Sequence, residues 1–177
     1  AQIFETLIGY DGSLKRAVHL AKSAVLYPKK SLNMLLLAKH GTGKDLFIRK
    51  IFEFAVASDV CAEDAPFVKM NCLYYKDNAE EMNAKFNEGL IASENGFFFI
   101  DNCHFLDAES KTHLSTILDN SYVKNPDIDH APIIVCSMPP MMSSDAFFDN
   151  ITSKISIIIS LPELNERGLY ERFKFIE

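Results

Sequence analysis

The sequence predicts an α/β domain in which a five-stranded parallel sheet lies between layers of helices. Three observations predict it. Five short, continuous apolar runs recur along the 177 residues, each is followed by a stretch with helical spacing, and a glycine-bearing turn joins the first run to its helix. Strands covered on both faces read as unbroken apolar runs, and parallel neighbours need a crossover that a helix supplies. A composition of 48% hydrophobic and 24% charged residues suits one domain with a substantial core.

The elements follow in order. Leu14, Val18, Ala21 and Val25 make a stripe at helical spacing that ends before Pro28. Asn33 to Leu37 is the first strand, and Phe47, Ile51 and Phe54 or Ala55 form the inner face of a second helix. Phe67 to Cys72 is the second strand. Asn78, with Glu81 three residues later, resembles a capping box opening a third helix that turns Met82 and Phe86 inward. Phe97 to Ile100 is the third strand, and Asp107 can cap a fourth helix with Leu114, Ile117 and Leu118 inside. The polar segment Asn120 to His130 reads as a mobile loop. Pro132 to Ser137 and Ile155 to Leu161 complete the sheet, and a last helix starting near Pro162 places Leu169, Phe173 and Ile176 on one side. Residues 1–162 are thus expected to be the α/β core and 163–177 the start of a truncated helical lid. The abrupt start at Ala1 and the end inside a helical pattern suggest a piece of a longer protein. Met138 to Met142 is apolar enough for a contact surface or, equally, for burial under the lid.

Bulk properties narrow the function classes. A net charge of −6 and a pI near 5.4 argue against direct nucleic-acid binding by this segment. Four cysteines without a CxxC pair fit buried free thiols and a cytoplasmic setting. There is neither a run of 18 apolar residues nor a basic-then-apolar leader, so neither a membrane span nor a signal peptide is expected.

The chemistry sits first in Leu35-Leu36-Leu37-Ala38-Lys39-His40-Gly41-Thr42-Gly43-Lys44-Asp45. A phosphate-binding loop reads GxxxxGK[ST] between a strand and a helix, so that backbone N–H groups and the helix N-terminus wrap a phosphate chain. Here Ala38 replaces the first glycine and Asp45 the Ser/Thr whose hydroxyl ligates magnesium. Asp45 sets a carboxylate against an anionic ligand, and no second cation in the sequence obviously relieves the repulsion. The second piece is Phe97-Phe98-Phe99-Ile100-Asp101, an apolar strand ending in the aspartate that holds magnesium through water. Hydrolysing members then carry a glutamate to take the proton of the attacking water. This chain has Asn102, an amide that orients water without deprotonating it, and slow or absent turnover is expected.

Leu7-Ile8-Gly9-Tyr10-Asp11-Gly12-Ser13-Leu14-Lys15, Ala21 to Pro28, the phosphate loop, Phe67 to Cys72, Gly89-Leu90-Ile91, the Asp101 strand and Ile155 to Glu171 carry a family likeness. The chain resembles the AAA+ domain of bacterial sigma-54-dependent transcriptional activators. The nearest branch is the levanase-operon-regulator type, whose members carry phosphotransferase-system regulatory domains. The resemblance implies an αβα P-loop NTPase fold, ATP held between subunits of a ring, and a GAFTGA loop that remodels the sigma-54 polymerase. Ile8 and Gly9 would lie against adenine, Gly41, Thr42, Gly43, Lys44 and Asp45 around the phosphates, and Asp101 near magnesium.

Departures from that family are concentrated at its chemistry. Ala38, Asp45 and Asn102 are three, and Ser153-Lys154 stands where paired arginines act in trans. Only Asn87 and Glu88 separate Phe86 from Gly89, where the remodelling loop should be inserted, so either that loop is deleted or these 177 residues leave out a stretch of the protein. The sensor position, usually Thr or Asn, falls near Ser137 or Met138. Cys103, His104 and His40 lack the spacing of a zinc site and are read as incidental. The expectation is a degenerate domain without catalytic residues, its ATP and Mg binding weak or lost, acting as a scaffold, assembly or signalling module. Its partners would be other subunits of the same regulator, with the sigma-54 polymerase as the partner the resemblance adds. The alternative is an active ATPase that remodels that polymerase.

Overall fold

In the computed structural model, residues 2–120, 130–140, 146–168, 171, 172 and 174 are described. Five parallel strands, β1 (Met34–Leu37), β2 (Phe67–Asn71), β3 (Phe97–Asp101), β4 (Ile133–Met138) and β5 (Ile157–Ser160), form one sheet in the order β2-β3-β4-β1-β5. Five α-helices cover it: α1 (Lys15–Val25), α2 (Lys44–Ala57), α3 (Ala79–Ala92), α4 (Ala108–Asn120) and α5 (Ala146–Thr152).

The alternation of side chains along a strand divides the core in two. Phe97 and Phe99 of β3 join Ala21 and Val25 of α1 and Phe47 and Ile51 of α2 on one face. Phe98 and Ile100 join Met82 and Phe86 of α3 and Leu114 and Leu118 of α4 on the other. All five residues of β3 are buried, which is why its run is apolar without a break. Because every strand points the same way, their carboxyl ends share one edge, where open parallel sheets present ligand sites. The pairing of Asn71 with Asp101, and the β4 residues Ser137 and Met138 beside Leu36 and Leu37, bring the predicted chemistry to that edge.

Helix ends largely follow the sequence. The Asn78 side chain accepts from Glu81 N–H at 3.0 Å and Asp107 from Ser110 N–H at 3.3 Å. The Asn78 N–H is taken by the Tyr75 carbonyl, so the cap there is one-sided. Helix α3 runs uninterrupted through Asn87 and Glu88, and the Asn87 amide donates to Asn83 one turn back at 3.0 Å. Gly89 lets this helix press on the Phe98 ring, which a Cβ at that position would overlap.

Some expectations need correction. Between Pro162 and Gly168 the chain forms a 3₁₀ turn, Leu164–Glu166, and the first α-type bond runs from Arg172 N–H to the Gly168 carbonyl, so helical geometry begins later than Pro162. Arg167, just after this turn, is buried and directs its guanidinium inward to the Thr42 carbonyl. Helix α5 was not expected, and its seven residues are too few to show a period. Met138 is a core residue rather than part of a contact surface, while Met141 and Met142 lie outside the described residues. So do 121–129 of the expected loop and Leu169, Phe173 and Ile176 of the expected lid helix.

All four cysteines are free and buried. Burial pushes the Cys72 and Cys103 thiols up, so both are protonated and poorly nucleophilic at neutral pH. Among the described residues no helix is long and apolar enough to cross a membrane.

The early turn is tied to the far end of the chain. Ser13 donates to Glu171 through its hydroxyl at 2.5 Å and its backbone N–H at 3.2 Å. Gly9, at φ +88°, and Gly12 pack so closely on this carboxylate that a Cβ at either would strike it. The Ser13 hydroxyl holds the Glu171 carboxyl below its ordinary value. A depressed carboxyl contributes stability above its unfolded value, about 4.5, and loses it as pH falls through the lower folded value. Wild type is therefore expected to melt above Glu171→Gln at pH about 6, with the gap closing below pH about 4, as followed by circular dichroism.

Candidate nucleotide site

The site begins with the turn after β1. Gly41 and Gly43 adopt φ of +82° and +84°, the left-handed region that glycine enters without strain. Gly41 is exposed, and a Cβ there would meet no heavy atom within 4 Å, so this side of the turn is open to solvent. Thr42 turns its hydroxyl back to the Lys39 carbonyl at 2.7 Å, and Gly43 starts α2. The loop is braced from below by Arg167, which is buried and donates to the Thr42 carbonyl at 2.9 Å. Ala38 is buried at the foot of the loop and donates its N–H to the Met138 carbonyl at 3.1 Å, so its methyl is absorbed by the core.

Beside the loop lies an apolar slot of about 170 Å³, walled by Leu7, Ile8, Leu14, Leu46, Phe47 and Leu161. Thr42, Gly43 and Arg167 also line it, so the slot abuts the loop. Ile8 lines it as expected, whereas Gly9 is absent from its wall and instead makes the turn against Glu171. A larger hollow of about 1120 Å³ opens by the amino ends of the strands, among Tyr27, Lys30, Asn33, His130 and Ile133. None of the predicted site residues lines it.

The charged centre is Asp101, whose side chain is only 5% exposed. Ser137 donates its hydroxyl to Oδ1 at 2.7 Å and the Lys44 ammonium stands 3.6 Å from the same oxygen. Ser137 thus sits where the sensor was sought, on β4 beside Asp101. The Lys69 ammonium is 3.1 Å from Asp45 Oδ2 and 4.0 Å from Asp101 Oδ2. This overturns the expectation that no second cation relieves Asp45. The reason is register, since Lys69 pairs with Phe99, two residues before Asp101, and side chains two apart share a face. Asp45 also lies in the first turn of α2, where a carboxylate favours the helix dipole.

At the position of the water-activating acid, Asn102 sits at φ +53° and its amide Nδ2 donates to Asn71 Oδ1 at 3.0 Å. Asn71 Oδ1 also accepts from Leu73 N–H at 3.1 Å. Lys154 is engaged within the chain, 2.6 Å from both Ser115 Oγ and Asp119 Oδ2 on α4, and Ser153 donates to the Asn150 carbonyl.

These residues place a glycine-bearing turn, an apolar slot and the buried Asp101 with Lys44 and Ser137 at one edge of a parallel sheet. Residues 7–85 match the sigma-54 interaction domain. The transcriptional regulatory protein LevR of Bacillus subtilis is 34% identical over 188 residues, covering 95% of this chain. The chain spans about a fifth of that relative's length. Since 95% of 177 residues is about 168, roughly twenty LevR positions have no counterpart here.

Among solved structures, NtrX of Brucella abortus in complex with ATP gives a TM-score of 0.63 at 15% identity, over 92% of this chain and 40% of NtrX. The P-loop NTPase domain of the sigma-54 transport activator of E. coli gives 0.59 at 13%, over 86% and 99%. The fold is that of the P-loop NTPases, as the sequence predicts.

The arrangement fits a phosphate chain better than it fits magnesium. Mg²⁺ demands oxygen ligands at about 2.0–2.1 Å in near-octahedral order. Here an ammonium already bridges the two carboxylates that would flank the ion.

The sequence alone did not single out Lys69, Asn71 or Arg167. A lysine inside the mostly apolar run Phe67 to Cys72 was the available signal for the first. Arg167 had none, because its bond to Thr42 spans 125 residues.

Proposed function

We propose that this domain binds an adenine nucleotide without turning it over, and acts as an assembly or signalling module within a transcriptional regulator. One observation carries the reading: the group that follows Asp101 is an amide donating to Asn71, which cannot accept a proton from water at neutral pH. The open loop at Gly41 and the apolar slot at Ile8 support retention of a nucleotide, and NtrX, of like fold, holds ATP. Lys154, at the position of a trans-acting arginine, is spent on Asp119 and lacks the planar fork that bridges phosphoryl charge.

Partner choice follows from α3. With the helix continuous through Asn87 and Glu88, the segment that reaches the sigma-54 polymerase in the family has no place to emerge there. Neighbouring subunits or domains of the same regulator are then the proposed partners, in the cytoplasm. Calorimetric titration with ATP and steady-state phosphate release test the reading together. Saturable heat without release above a Lys44→Ala control supports it. Turnover near about one per second, abolished by Lys44→Ala, would establish the active polymerase-remodelling ATPase instead.

A further inference from the structure

We propose that the Lys69 ammonium takes the place of the divalent cation at the phosphate site, so that this domain binds a nucleoside polyphosphate without magnesium. The inference rests on the nucleotide-binding reading above and deepens it.

Lys69 is placed by the sheet rather than by chance exposure. Its side chain passes over the Phe99 ring, with Nζ 5.3 Å from the centroid, and ends between Asp45 and Asp101. Those are the two positions between which a P-loop protein carries its metal. An ammonium has three donors, and the carboxylates face it at 3.1 and 4.0 Å, so at least one N–H remains for a phosphate oxygen.

Asp45 and Lys69 make sense only as a couple. Alone, Asp45 would repel a phosphate; alone, Lys69 would lack the anchor that holds its flexible stem beside the cradle. Together they leave the local charge of Lys44 plus Asp101 unchanged. Lys44 lies 3.6 Å from Asp101, so an entering Mg²⁺ would face two ammonium groups at close range. The same two ammonium groups are available to the phosphates.

The test is the binding of a fluorescent ATP analogue, by anisotropy, in excess EDTA and in excess magnesium. Wild type is expected to show Kd values within about threefold of each other. Lys69→Met, which keeps the apolar stem over Phe99, should weaken binding in EDTA by about tenfold or more. Asp45→Ser with Lys69→Met returns the motif's hydroxyl and removes the ammonium, and its binding should tighten about tenfold or more on adding magnesium. Wild-type binding that requires magnesium overturns the inference and leaves the nucleotide reading standing. Unchanged binding of Lys69→Met in EDTA also overturns the inference alone. No saturable binding in either buffer overturns both. The wild-type comparison needs no variant, so a misfolded mutant cannot shield the idea.

Discussion

A chain carrying Asp45→Ser, Lys69→Met and Asn102→Glu is expected to release phosphate from ATP about 10²-fold faster than the unaltered chain in magnesium buffer. Two of the changes clear the ammonium and carboxylate from between the loop and Asp101, and the third supplies a proton acceptor beside Asn71. The gain should stop well short of a full motor, because Ser153 and Lys154 still offer no guanidinium to a neighbour's phosphates. Stability should fall at the same time. Asn102 occupies the left-handed region at φ +53°, which asparagine tolerates and glutamate adopts at a cost of about 1 kcal/mol. A coupled phosphate assay and a thermal melt on one preparation read both effects. A flat rate in a variant that binds ATP tightly would show that the missing acid is not what limits the domain.

Gly96→Ala is expected to cost about 3 kcal/mol of folding stability, measured by urea unfolding. A Cβ at this position would overlap the Pro66 carbonyl oxygen, a backbone atom that cannot swing aside. That oxygen accepts the Phe97 N–H at 2.9 Å, and the Gly96 carbonyl accepts the Ile133 N–H at 2.9 Å. The methyl would pry apart the starts of β2, β3 and β4 together, unlike a surface change confined to one strand. Because the strain falls on the strand starts, the loss should appear in the unfolding midpoint whether or not nucleotide is present. A loss below about 1 kcal/mol would mean the Pro66 segment yields more easily than its hydrogen bonds imply.

Much of this architecture was legible in the chain, for a physical reason. Buried parallel strands must be apolar throughout, and the five predicted runs coincide with β1 to β5 to within two residues at each end. The stripes on α1 to α4 were equally plain, because eleven to fourteen residues are enough for a helical period to declare itself. Helix α5, with seven, was not.

The glycine turn after β1 and the acid that ends β3 could be placed from local pattern. The electrostatics of the site could not. Lys69 lies 24 residues from Asp45 and 32 before Asp101 in the chain, and only the pairing of β2 with β3 brings its ammonium to them. Arg167 belongs to the same class, since its burial under Thr42 is a product of how the chain returns after β5. A sequence reveals which groups are present, but a charge is understood only with its neighbours.

The unbroken α3 has a mechanical corollary. A motor amplifies a small displacement at its fuel site through an arm that projects from the body. Here the corresponding surface is a rigid rod, clamped to the sheet where Gly89 meets Phe98. Under the proposed assembly role, a message from the phosphate edge is expected to travel as a change in how firmly a partner grips this rod.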